Sequence, residues 1–153
     1  MRKGNLAMAV LLFTWPFACG HDAPPPPIKQ AGQPCTPTAT QPAGQCYSNL
    51  DGAALRGGAA VCLDKVTGGY CTHICQTDAD CCALSGECKT PYPQVCSPFE
   101  STGDKYCFLS CEDAVFADAG ISDANSFCVT YANAAFNCRS SGGGNLNRKV
   151  CVP

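Results

Sequence analysis

Residues 62–88 read Cys-Leu-Asp-Lys-Val-Thr-Gly-Gly-Tyr-Cys-Thr-His-Ile-Cys-Gln-Thr-Asp-Ala-Asp-Cys-Cys-Ala-Leu-Ser-Gly-Glu-Cys. Six cysteines fall in this stretch, and Cys96 follows soon after. Seven residues, with Thr67-Gly68-Gly69 among them, separate Val61-Cys62 from Tyr70-Cys71. Two short runs of β-branched or aromatic residues around a glycine turn predict a β-hairpin. The pattern returns downstream, where nine residues separate Val95-Cys96 from Tyr106-Cys107. A third, weaker version has twelve residues between Cys138 and Cys151, including Gly142-Gly143-Gly144. Hairpins are therefore expected over about 60–73, 94–110 and 136–152. A Cys-x3-Cys step follows each of the first two, as Cys71/Cys75 and Cys107/Cys111. Grouped by these signals, the units run over about 61–88 and 95–138, with a partial third hairpin at 138–152.

Composition decides how such hairpins are held. The chain has 153 residues and 15 cysteines. That density in a short chain marks a disulfide scaffold. Its 46% hydrophobic content is largely Ala and Cys, so aliphatic core formers are sparse. Disulfides offset the missing core, each contributing about 2–4 kcal/mol by restricting the unfolded chain. The fold class expected is small and disulfide-rich, with short β-hairpins, loops, little helix and about seven disulfides.

The N-terminus reads as an export address. Arg2 and Lys3 precede an apolar run over residues 6–17, and Ala18 supplies a small residue before Cys19. Residues 1–18 have the layout of a secretory signal, too short for a stable bilayer span. Ala18-Cys19-Gly20 followed by Pro24-Pro25-Pro26-Pro27 resembles a bacterial lipobox and tether, which implies lipidation of Cys19. Pro16 and Phe17 depart from the lipobox pattern, and ordinary cleavage after Gly20 is the alternative. Residues 19–34 form the tether, with the prolines favouring a stiff polyproline II spacer. The stapled domain occupies 35–153. With Cys19 lipidated or removed, fourteen cysteines remain for disulfides: Cys35, Cys46, Cys62, Cys71, Cys75, Cys81, Cys82, Cys88, Cys96, Cys107, Cys111, Cys128, Cys138 and Cys151. Spacing does not assign their partners, except that the neighbours Cys81 and Cys82 are expected to bond elsewhere rather than to each other.

Zinc is the competing use of closely spaced cysteines near His73. Export places the thiols where they oxidise, and zinc leaves most of them unused, so no metal or other cofactor is expected. Asp78 and Asp80 alternate like calcium ligands, yet the glycine and distal Glu of an EF-hand are missing. They are expected to bond backbone amides in the turn before Cys81. No Ser sits in a nucleophile elbow, and His73 and His21 are the only histidines, so an enzyme is not expected. From residue 19 on, eight Lys/Arg stand against twelve Asp/Glu, a net of −4, with no basic stripe. Nucleic acid is therefore not an expected partner.

Residues 112–120 open with Glu112-Asp113 and close on Gly120, which suits one or two helical turns. Residues 126–131 alternate like a strand but also fit a helix over 123–136. Tyr70 and Tyr106 hold matching hairpin positions and are expected to pack. Tyr92 and Phe99, flanked by Pro91, Pro93 and Pro98, are the candidate contact surface.

Tyr70-Cys71-Thr72-His73-Ile74-Cys75-Gln76-Thr77-Asp78-Ala79-Asp80-Cys81-Cys82 with Gly86-Glu87-Cys88 resembles a motif of exported bacterial cysteine-rich lipoproteins. Locally it is also similar to the N-terminal cysteine-rich region of dickkopf-type secreted proteins. The resemblance implies an exported, disulfide-stapled module and carries no activity. The expected function is a non-enzymatic surface binding module with a protein or glycan partner. It would be held to a bacterial envelope, at the outer membrane or outside it, by the lipid at Cys19. A structural envelope component and a secreted knottin-like inhibitor are the alternatives.

Overall fold

The computed structural model describes residues 29–41, 43–51, 54–99, 103–142 and 144–153. The expected signal over 1–18, Cys19 and residues 20–28 lie outside them. Three antiparallel hairpins form where the sequence predicts them: β1 (Ala60–Leu63) with β2 (Tyr70–His73), β3 (Gln94–Pro98) with β4 (Lys105–Leu109), and β5 (Asn137–Ser140) with β6 (Lys149–Val152). Each two-stranded ribbon is marginal alone, so its stability must come from what it is bonded to and packed on.

In every hairpin two cysteines face each other across the strands: Cys62 opposite Cys71, Cys96 opposite Cys107, and Cys138 opposite Cys151. None of these facing pairs is a disulfide. The first cysteine of each hairpin bonds to one upstream, as Cys35–Cys62, Cys75–Cys96 and Cys111–Cys138. The second bonds to a cysteine lying between those two, as Cys46–Cys71, Cys81–Cys107 and Cys128–Cys151. These six bridges span 21 to 27 residues, and the seventh, Cys82–Cys88, spans only 6. Cys81 and Cys82 thus have different partners, as expected. The bridges tie each hairpin to the segment before it, so the bonded groups run over 35–71, 75–107 and 111–151. The Cys-x3-Cys steps are the junctions between them.

Successive hairpins join by the same pair of contacts. Ile74, just after β2, bridges Tyr106 of β4, and the Cys75 amide donates to the Lys105 carbonyl at 3.0 Å. Ser110, just after β4, bridges Val150 of β6, and the Cys111 amide donates to the Lys149 carbonyl at 3.0 Å. Each hairpin therefore docks on the tail of the one before.

The main core fills the angle between the hairpins and two helices. Tyr70 stacks on Phe136, with ring centroids 5.6 Å apart, and tilts against Phe108 at 5.1 Å. Fully burying side chains of this size contributes about 1.5–3 kcal/mol each. Burial raises the Tyr70 hydroxyl well above its ordinary pKa, while its bond with the Leu109 amide acts the other way. Tyr106, its counterpart in the second hairpin, is buried too. α1 (Asp113–Asp118) fits the segment expected to turn helically, and Gly120 follows it at φ +70°. Residues 126–131 belong to α2 (Ala124–Tyr131). Asp123 caps it, accepting from the Ser126 amide at 2.7 Å, and this bond holds the Asp123 carboxyl below its usual range. Helical spacing then places Phe127 and Tyr131 on one face, against each other and against Tyr92.

The fold begins before Cys35. Gly32 donates to the Cys71 carbonyl and Cys71 donates to the Gln33 carbonyl, both at 2.9 Å. Residues 29–34 are thus bonded into the domain and line the outer edge of β2. The close approach is possible because the β1–β2 turn carries Gly69 at φ +73°. A Cβ there would lie 2.0 Å from the Cys35 carbonyl oxygen. Gly69→Ala is expected to destabilise the protein by about 2–3 kcal/mol, from left-handed strain together with the clash. Gly103→Ala is the control, since its φ is also positive but no atom lies within 4 Å of its Cβ. Urea titration of both variants checks this, with the larger loss expected at Gly69.

Candidate functional site

His73 is the one histidine among the described residues, and it ends β2 with no solvent exposure. Its Nδ1 lies 2.8 Å from the Ile74 carbonyl oxygen, and its Nε2 lies 2.9 Å from Glu87 Oε1. A carbonyl only accepts, so Nδ1 donates there. Glu87 is equally buried and accepts from two backbone amides, Cys82 to Oε1 at 2.6 Å and Leu84 to Oε2 at 3.0 Å. Such a carboxylate accepts from Nε2 as well, giving an imidazolium–carboxylate pair inside the protein. Burial pushes the Glu87 carboxyl up, but the bonds from His73, Leu84 and Cys82 outweigh it and hold it below its ordinary range. The six-residue bridge Cys82–Cys88 closes the loop that carries Glu87, and Cys82 adopts φ +60° to point its amide at it. The pair also touches sulfur, with Cys107 Sγ 3.3 Å from Nε2. Tyr47 lies edge-on to the imidazole at 6.0 Å, and burial raises its hydroxyl well above the ordinary value. Neither His73 nor Glu87 has any solvent exposure.

The surface offers a different feature. A groove of about 690 Å³ runs between the middle bonded group and the start of α1. Leu84, Pro91, Tyr92, Pro93 and Val115 supply apolar wall, and Gln94 and Thr90 supply polar groups. Gln94 is 7% exposed, and its Oε1 is buried without a hydrogen-bond partner. Thr90 Oγ1 is in the same condition. Buried polar atoms are nearly always paired, so two unpaired ones in one groove stand out.

A charge cluster of one guanidinium and two carboxylates closes one end. Arg148 meets Glu112 in a bidentate pair, Nε to Oε1 at 2.6 Å and a terminal nitrogen to Oε2 at 3.1 Å, and its other nitrogen reaches Asp78 Oδ2 at 3.1 Å. The bonds with Glu112, aided by Asp78, raise the Arg148 pKa further. Asp78 Oδ1 accepts from the Cys96 amide at 2.8 Å. Asp80 Oδ2 accepts from the Thr77 and Gln76 amides at 2.8 and 2.9 Å, which lowers its pKa and closes a 3-10 turn over Asp78–Asp80. Asp80 therefore serves the turn amides, as the turn reading expects, whereas Asp78 reaches out of the turn to the Cys96 amide of β3 and to Arg148.

Three sets of cysteine sulfurs, Cys35/Cys46/Cys71, Cys75/Cys81/Cys107 and Cys111/Cys128/Cys151, each gather within 4.8 Å. All nine belong to disulfides, so these are neighbouring bridges packed side by side. Tyr92 and Phe99, the candidate contact residues, are only half exposed. Tyr92 lends the groove an edge while packing on Phe127 and Tyr131, and Phe99 packs on Phe108 at 5.6 Å.

No family model, no curated protein and no solved structure matches this chain. Its function must be argued from its own residues. Sequence reading assigned no role to Glu87, Thr90 or Gln94. Glu87 had a signal, as the single charged residue between Cys82 and Cys88. Gln94 and Thr90 had none, because an unpaired side chain is defined by its surroundings.

Among the described residues, no helix is long and apolar enough to cross a membrane. Seven disulfides in the folded domain are those of a chain that matures in an oxidising compartment, extracellular or in a cell envelope.

Proposed function

We propose that this chain is an exported, non-enzymatic binding module, anchored by a lipid on Cys19 to a bacterial envelope and presenting the groove to a partner outside the cell. The single observation that carries the binding role is the groove itself, with the unpaired Gln94 Oε1 and Thr90 Oγ1. Covalent bridges brace its walls: Cys81–Cys107 and Cys82–Cys88 on one side, Cys111–Cys138 at the root of α1 on the other. A site braced in this way loses little conformational entropy when occupied. The non-enzymatic reading is supported by the burial of His73, whose ring nitrogens are both engaged. The anchor reading is supported by the apolar run before Ala18-Cys19-Gly20 and by the prolines that follow.

Two measurements on the full-length protein, expressed in a bacterial host, test this. Intact mass should show an acylated Cys19 as the mature N-terminus and a gain of fourteen hydrogens on reduction, two for each of the seven bridges. A mature chain starting at unmodified His21 would end the anchor reading. Saturable binding to members of panels of linear peptides and neutral glycans is expected, and Leu84→Arg in the groove should abolish it. Binding indifferent to Leu84→Arg, or no binding at all, would leave the structural envelope role as the better account.

A further inference from the structure

The geometry points to an extended peptide strand as the ligand of the groove, held by main-chain bonds to the outer edge of β3 at Gln94. This rests on the groove being a binding site and goes on to name what fills it.

The hydrogen-bond phase of the β3–β4 ribbon is fixed by neighbouring bonds. The Ser110 amide donates to the Pro93 carbonyl at 3.0 Å, the bond that flanks a non-hydrogen-bonded pair at Gln94 and Leu109. The Leu109 amide accordingly turns away from β3, to the Tyr70 hydroxyl at 3.3 Å. Two residues on, the Cys96 amide turns outward to Asp78. Gln94 has the same phase, so its main-chain N–H and C=O also face outward, on the edge where Asp78 and Gln94 line the groove.

The rest of that edge is closed to a second strand. Pro91, Pro93 and Pro98 have no N–H, and Asp78 occupies the N–H of Cys96. One residue is left with a donor and an acceptor side by side, the arrangement that pairs with one residue of an incoming strand by two bonds. The unpaired Oε1 of the same residue accepts one more N–H, and the unpaired Thr90 Oγ1, in the lining of the same groove, donates to a carbonyl. An extended peptide carries both groups at every residue. Leu84, Pro93 and Val115 give an apolar side chain of that peptide a dry wall. Charge narrows the class. The one guanidinium on the groove, Arg148, is taken by Glu112 and Asp78, leaving that end net negative. The favoured strand is apolar, with neutral or basic residues and no acidic ones.

The test uses a phage-displayed library of linear dodecapeptides, panned on the full-length protein and followed by calorimetry with the synthetic winners. Enriched peptides should be apolar or basic. Methylating their backbone nitrogens one at a time should weaken binding about tenfold, the loss of one well-placed hydrogen bond, at the residue opposite Gln94 and at the one whose N–H meets Oε1, and much less elsewhere. Gln94→Met should weaken binding about three- to tenfold while keeping or raising the thermal midpoint of the free protein, since it removes an unpaired buried oxygen. A purely structural Gln94 would lower that midpoint instead. Enriched peptides that tolerate methylation at every position, or that bind Gln94→Met unchanged, would overturn the assignment. A neutral oligosaccharide bound in place of peptides and lost in Leu84→Arg would overturn it too, while leaving the groove as the binding site. Failure of both ligand classes would remove the proposed function along with it.

Discussion

Glu87→Ala is expected to cost the fold about 3–5 kcal/mol, the range for removing one partner of a buried ion pair. The substitution leaves the His73 Nε2 donor without its acceptor and strands the amides of Cys82 and Leu84. Glu87→Gln keeps an oxygen for one of these donors and loses the charge, so its loss should be smaller. Guanidinium titration of the two variants measures both. Equal stability of Glu87→Ala and the wild type would mean that the pair contributes nothing. The same pair sets an acid limit. The Glu87 carboxyl titrates lower in the folded protein than in the unfolded chain, where its value is about 4.3. Its contribution is therefore fully present above about pH 5 and is lost as pH falls through the depressed folded value. Asp123 and Asp80 have depressed values and lean the same way, although Asp123 is exposed and Asp80 only half-buried. The wild-type denaturation midpoint should drop as pH falls from 5 toward 3, and the Glu87→Ala midpoint should drop less.

Removing one long bridge is expected to be comparably damaging. Cys46→Ala with Cys71→Ala opens a link spanning 25 residues, for which chain entropy predicts a loss of about 3.5 kcal/mol. Cys71 is fully buried beside the Cys35–Cys62 bridge, and the voids left by two sulfurs add to that loss. Cys82→Ala with Cys88→Ala opens a link spanning only 6 residues, worth about 2 kcal/mol by the same rule. Because Cys82 holds φ +60°, Cys82→Gly with Cys88→Ala should recover part of that loss. The order expected in denaturant is wild type, then the Gly/Ala variant, then the Ala/Ala variant at 82 and 88, then the Cys46/Cys71 variant. A Cys82/Cys88 variant less stable than the Cys46/Cys71 variant would show that the short bridge acts chiefly by holding Glu87 against His73.

Much of the fold was legible in local sequence. The first two hairpins lie where Val-Cys and Tyr-Cys flank a glycine turn, because turn chemistry and β-branched runs act over a few residues. Asp80 closed the turn before Cys81 for the same reason, since its carboxylate reaches amides three and four positions away, whereas the bond from Asp78 to Cys96 on β3 was not legible locally. The segment over 126–131 was ambiguous because Phe127 and Tyr131 fit either period until Tyr92, distant in sequence, supplied a surface for both. The contact role expected of Tyr92 and Phe99 was only partly legible, since proline flanks mark a loop without saying what its rings pack on.

By itself the sequence determined that this is a stapled chain of short hairpins, since cysteine density and glycine turns are properties of composition and near neighbours. Only the tertiary structure decided which sulfurs bond. The cysteines that face each other across each hairpin look like partners, yet each bonds to the preceding segment, because a bridge needs sulfurs brought together by packing and spacing along the chain does not report that. The buried His73–Glu87 pair and the unpaired Gln94 Oε1 were decided the same way. Each depends on what surrounds a polar group, and those surroundings come from residues far apart in the chain.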